Sequence, residues 1–235
     1  MRLIIKFSPI EGRVSTSLFL NKFTIQGMFY SIFLKSEKLK NKHEEKGFKF
    51  FCFSDVFSKD EYYYILFSSP SKEFVMETYN IFKRIEYFYI GYNIFRKIDV
   101  KKLNFKIGKK IDWTTGSPVV VYYNNKPFSF LKDRDYSIFF ARLKENAIKK
   151  YTSYYSEPIT IEELFDKVNL KKSVAIPLQK DRKKFVIFGS MWNSLEKSYI
   201  PKEERKFYQF LLDAGIGEKN SLGFGFINPK IKRFP

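Results

Sequence analysis

The hydrophobic period of this chain switches between two and 3.6 in an order that repeats, and that order limits the folds open to it. Residues 2–8 alternate, with Leu3, Ile5 and Phe7 on one side and Arg2, Lys6 and Ser8 on the other, as a half-buried strand does. Ile25, Met28, Phe29, Ile32 and Phe33 then recur at i, i+3, i+4, i+7 and i+8, the stripe of an amphipathic helix, with Asn21 placed as its N-cap. FKFFCFSDVF (48–57) and YYYILFS (62–68), separated by the polar SKDE, read as a hairpin. Ser69 and Pro70 open a second helix as N-cap and N1, with Phe74, Thr78, Ile81, Phe82 and Ile85 as its stripe, and strand-like sequence runs on to about 106. Strand, helix, strand, strand, helix, strand is the ferredoxin-like, RRM-like βαββαβ order.

The order then returns. VVVYY (119–123) reads as a strand, and Tyr136, Phe139, Phe140, Leu143 and Ala147 recur at helical spacing. KSVAIPL (172–178) and KFVIFG (184–189) flank the turn-like QKDR; Phe207, Phe210, Leu211 and Ala214 mark a last helix before a final SLGFGFI strand. Between the halves, residues 107–116 carry two glycines and little periodicity, so we place the boundary there. The expected fold class is α+β, two tandem ferredoxin-like folds over 1–110 and 111–235, ending in a Gly-rich loop.

Charge narrows the partners. A net charge of +18 on a chain that is 44% hydrophobic describes a globular protein drawn to a polyanion or an anionic surface. The membrane alternative is weak, because the longest apolar runs, YYYILF and VVVYY, have strand lengths. No h-region for secretion precedes Glu11, and the single Cys52 suits a reducing compartment, so a cytoplasmic protein without a membrane partner is expected. Aromatic residues make up 20% of the chain, enough both to fill a core and to offer rings on which bases stack. Exposed rings also suit a dimer interface, which leaves monomer and homodimer open.

His43 is the only histidine, and so the only side chain whose ordinary pKa lets it accept and donate a proton near neutrality. It sits in a stretch, Lys35 to Lys49, with six lysines, Lys46 among them, against three glutamates, a local charge suited to a phosphate. Tyr30 lies about 130° from the centre of its helix's apolar stripe, which points to an exposed hydroxyl. Gly27, one turn earlier, leaves that flank without bulk for a close approach, whether by a ligand or by a second packed element. AGIGEKNSLGFGF gathers Gly215, Gly217, Gly223 and Gly225, whose backbone N–H groups are free to converge on phosphates, with Lys219 and Asn220 adding charge and hydrogen bonds; a purely structural turn is the alternative. The Walker pattern is absent, and the loop runs from helix to strand, opposite to the dinucleotide fingerprint. With one His and no CxxC pair, no metal site or cofactor is expected.

IQGMFYSIF, HEEKGFK and GIGEKNSLGFGF together resemble the CRISPR-associated endoribonucleases that process precursor repeat RNA, the last motif matching the Gly-rich loop of the wider repeat-associated RNA-binding superfamily. The resemblance implies tandem ferredoxin-like folds and a metal-independent cut. In that reaction the RNA's 2′-hydroxyl attacks the adjacent phosphate, leaving a 2′,3′-cyclic phosphate and a 5′-hydroxyl. It implies that Tyr30 and His43 share acid and base duties, that Lys49 steadies the phosphate charge, and that CRISPR repeat RNA is the partner. The basic segment 96–110, Lys46 and the Gly-rich loop are the implied RNA contacts. The alternative in the same superfamily is a non-cleaving RNA-binding subunit of a CRISPR effector complex.

Overall fold

A computed structural model describes residues 1–12, 14–15, 17–44, 46–133, 135–180 and 183–230; at residues 17, 20, 43 and 180 it describes the backbone alone. The first half runs β1 (Arg2–Pro9), the short α1 (Ser17–Leu20), α2 (Lys22–Phe33), β2 (Cys52–Phe53), β3 (Phe57–Lys59), β4 (Tyr62–Ser68), α3 (Lys72–Arg84), β5 (Tyr87–Ile90) and β6 (Asn93–Leu103). The second runs β7 (Ile111–Thr115), a two-residue pair β8 (Tyr122–Tyr123) and β9 (Lys126–Pro127), α4 (Tyr136–Tyr155), β10 (Lys167–Lys180), β11 (Lys183–Lys197), α5 (Arg205–Ala214) and β12 (Ile227–Pro229).

The two main sheets share one topology. The first has the order β2-β4-β1-β6-β5 and the second β10-β11-β7-β12, every pairing antiparallel. Each places its first strand between the third and the fourth, the ferredoxin-like order, and the first sheet adds β5 as a hairpin strand on β6. Leu3, Ile5 and Phe7 of β1 bury completely beneath α2 and α3, so alternation in the sequence becomes a sheet with one covered face. In the second half, Trp113, Phe139, Leu143, Trp192, Phe207 and Leu211 join one buried cluster between sheet and helices.

Local chemistry explains the helix starts. The Asn21 side chain accepts the Phe23 N–H at 3.2 Å, as an N-cap should. At the next helix the cap is Ser71, whose hydroxyl accepts the Phe74 N–H at 3.1 Å. Ser69, expected as that cap, sits two residues earlier, where its hydroxyl accepts from the Ser71 N–H and donates to the Phe50 carbonyl at 2.6 Å.

Two strand assignments shift. The first strand of the second half is Ile111–Thr115, inside the expected linker, where burial alternates through Ile111, Trp113 and Thr115. Val119, Val120 and Val121 are fully buried but form a connector: Val119 pairs with Ser190 through a single bridge, and the Val120 carbonyl accepts the Glu218 N–H at 2.8 Å. A short, uniformly apolar run records burial on all sides and does not say which backbone partner it will take. Likewise FKFFCFSDVF breaks into β2 and β3, with Phe50 in the left-handed region at φ 49°.

Candidate functional site

The Tyr30 helix presents one face to the first core through Ile25, Met28, Phe29, Ile32 and Phe33. Tyr30 is half-buried at the rim of that face. Its ring meets Phe33 and Phe51 edge-on, with centroids 5.9 Å and 6.0 Å away, which fixes the direction of the phenol. Gly27 is exposed, and among the described residues a Cβ built there meets nothing within 4 Å.

After α2 the chain turns through buried Leu39 into a single 3-10 turn, Lys40–His43. The His43 backbone closes that turn, while its imidazole lies outside the described side chains. The Lys49 ammonium donates to the Lys42 carbonyl at 3.1 Å and so ties its segment to the residue before His43. Two residues on, Phe51 is fully buried against Tyr30 and Phe33. Phe50 points to the other half, against Tyr154 of α4 at 4.9 Å and Phe210 of α5 at 6.3 Å. Consecutive phenylalanines thus bolt the Lys49 segment to both halves. The structure ties Lys49 to the turn before His43 and sets Tyr30 against Phe51, two residues after Lys49; Lys46 is exposed on the same segment.

A cavity of about 190 Å³ opens between this segment, α4 and the Gly-rich loop, lined by Lys49, Asn146, Lys150 and residues Gly217–Ser221. Gly215, Gly217, Gly223 and Gly225 are all buried and all at positive φ. At Gly225 an added Cβ would fall 1.8 Å from the Ile216 carbonyl oxygen, and at Gly223 2.2 Å from the Phe53 ring. These glycines let the loop cross close to its neighbours.

Three of these N–H groups have internal partners: Gly215 donates to Leu211, Gly223 to Asn220 and Gly225 to Pro118, at 2.9, 2.8 and 2.7 Å. The expected aim of these three N–H groups at phosphate is therefore corrected; they hold the loop's own shape. Asn220 is similarly occupied, donating to the Ile216 and Phe224 carbonyls and accepting from Lys150. Lys219 is exposed, with its ammonium 5.1 Å over the Tyr122 ring.

Three buried cations at this junction were missed by the sequence reading. Lys22 donates to the Gly223 carbonyl at 2.8 Å and pairs with the Asp55 carboxylate. Arg2 reaches the Leu212 carbonyl, Asn228 at 3.1 Å and the face of Phe226 at 4.6 Å. Burial lowers Arg2 to about 10, with Asp213 acting against it. Lys150 touches three acceptors of the Gly-rich loop. Its signal was present: Leu143, Ala147 and Lys150 share one helical stripe, and a lysine on a core stripe requires a buried partner. Cys52 donates to the Phe224 carbonyl at 3.2 Å, and burial pushes its thiol up to about 12, so it is an inert packing group. Among the described residues no three His, Cys, Asp or Glu side chains cluster, and no helix is long and apolar enough to cross a membrane.

Two ferredoxin-like sheets of the same order, joined through the Gly-rich loop, define a tandem ferredoxin-like protein with its junction at the C-terminal loop. The family model for CRISPR associated protein Cas6, C-terminal, matches residues 98–229. CRISPR-associated endoribonuclease Cas6 2 of Methanocaldococcus jannaschii is 39% identical, across 97% of this chain and 99% of its own length. The chain belongs to the Cas6 family. Among solved structures, the product of a Cas6-related gene from Pyrococcus furiosus matches with a TM-score of 0.77 at 18% identity, covering 99% of each chain. A RAMP protein described as binding different RNA substrates matches with a TM-score of 0.76 at 21% identity, over 98% of this chain and 100% of that one. At such identities the likeness establishes the shared fold.

Proposed function

We propose that this chain is an endoribonuclease that cuts CRISPR precursor repeat RNA at one position, without a metal ion, using Tyr30, His43 and Lys49. The observation that supports the site is the Lys49 ammonium at 3.1 Å from the Lys42 carbonyl, which ties the cation to the turn bearing His43, while Phe51, two residues after Lys49, packs its ring against Tyr30. The 39% identity to a relative named as a CRISPR-associated endoribonuclease supports the reaction.

In this reading the 2′-hydroxyl attacks the neighbouring phosphorus and the bond to the 5′-oxygen breaks. The 2′-proton passes to a base, and the leaving 5′-oxygen takes a proton from an acid. Lys49 balances the added negative charge at phosphorus, an effect strongest where water is excluded. His43 is the better base, since a free imidazole titrates near 6.5 and a free phenol near 10; Tyr30 then serves as acid or orienting donor. Exposed Lys46 and Lys219, with the cations of 96–110, supply phosphate contacts that position the strand without reading its bases.

His43→Ala is expected to lower the single-turnover rate by roughly 10²- to 10⁴-fold while RNA affinity stays close to wild type. EDTA is expected to leave the wild-type rate unchanged. Undiminished cutting by His43→Ala removes that residue from the mechanism, and loss of cutting in EDTA restored by magnesium refutes the metal-free account. Tight RNA binding without any cut identifies a non-cleaving subunit instead.

A further inference from the structure

Lys150 lies on α4 with only 3% of its surface exposed. Its Nζ is 2.8 Å from the Gly215 carbonyl, 3.0 Å from the Gly217 carbonyl and 2.7 Å from Asn220 Oδ1. Three oxygens converging on one buried point need three donors and no competing acceptor. Among side chains, a lysine ammonium offers that from one compact centre. Burial pushes Lys150 down to about 7, against the pull of Cys52 and Glu218, so charging this group works against the stability of the fold.

The far end of the loop has separate anchors: Gly225 donates to the Pro118 carbonyl at 2.7 Å, and Lys22 reaches the Gly223 carbonyl at 2.8 Å. What Lys150 gathers is the stretch from Gly215 to Asn220, and Gly217–Asn220 forms the cavity wall shared with Lys49. Removing the ammonium orphans three acceptors, two of them in that wall, while leaving the far anchors in place.

We propose that Lys150 is a positioning residue for RNA cleavage, holding the Gly217–Asn220 turn across the cavity from Lys49 at the separation the scissile phosphate requires. This rests on the nuclease reading above and adds to its machinery a residue that never touches the reacting atoms.

The test compares wild type with Lys150→Met, Lys150→Gln and Lys150→Arg in single-turnover cleavage of CRISPR repeat RNA across protein concentration. Lys150→Met is expected to lower the rate constant at saturation roughly 10- to 100-fold, the scale of a small misplacement around a reacting centre. The half-saturating concentration should stay within about twofold of wild type. Lys150→Arg, which keeps the charge and several donors, should fall between the two. Should Lys150→Met fail to fold, Lys150→Gln, with two donors and no charge, carries the same expectation of a slower saturated rate. A wild-type rate constant in a folded Met or Gln variant overturns the proposal, as does a loss confined to the fraction of RNA cut. A wild-type protein that does not cut refutes the nuclease reading and this inference with it. Cutting by wild type matched by the variants refutes this inference alone.

Discussion

At the scale of single residues, the site depends on cations whose surroundings differ sharply. Lys49 is half-buried and tied to a backbone carbonyl near the His43 turn, whereas Lys150 is enclosed among loop oxygens. The folded protein holds Lys150 at about 7, against an ordinary 10.5 in an unfolded chain. Between those values the unfolded chain binds the extra proton, so this residue makes stability rise with pH, by at most about 1.4 kcal/mol per unit. Cys52 acts in the opposite sense above about 9, because its thiol keeps its proton in the folded state to about 12. The clear window is therefore between about 7 and 9. Denaturant unfolding at pH 7, 8 and 9 should show wild type gaining stability relative to Lys150→Met; parallel curves would refute the assignment. Tyr30, His43 and Lys49 were named from motifs, whereas Lys150 escaped because its three acceptors come from residues at least 65 positions away.

Among the elements, α2 and the Gly-rich loop use glycine in opposite ways. Gly27 sits in a regular helix with open space where a Cβ would go. Gly27→Ala should stabilise the free protein by about 0.5–1 kcal/mol through helix propensity. Gly225 has φ 70° and a carbonyl oxygen 1.8 Å from its absent Cβ. Gly225→Ala should destabilise by more than the ~1–3 kcal/mol of backbone strain alone. Thermal melts of the two variants should move in opposite directions; a shared direction contradicts this account of the loop. Sequence periodicity found α2, α3, α4 and α5, because each has a long amphipathic stripe. It misplaced the start of the second sheet, because five-residue β7 offers little pattern while buried Val119–Val121 looks like a strand and serves as a connector for the loop.

The whole molecule repeats one topology, and that repetition was legible in the order of hydrophobic periods without any repeated sequence. What the order could not convey is how the halves meet. Phe50 and Phe51 diverge into different halves, Arg2 and Lys22 reach from the first half into the end of the second, and Cys52 bonds to the Gly-rich loop. These contacts join side chains far apart in sequence, and no local period encodes them. They also place the Lys49 segment and the Gly-rich loop on two sides of one cavity, the arrangement on which the proposed reaction depends. The most direct measurement is to give the wild-type protein a CRISPR repeat RNA and a copy lacking only the 2′-hydroxyl at the cut position, and to analyse the ends produced. The account predicts a cut in the first, with a 2′,3′-cyclic phosphate and a 5′-hydroxyl, and none at that position in the second; cutting of the deoxy copy there, or a 3′-hydroxyl end in either, would contradict it.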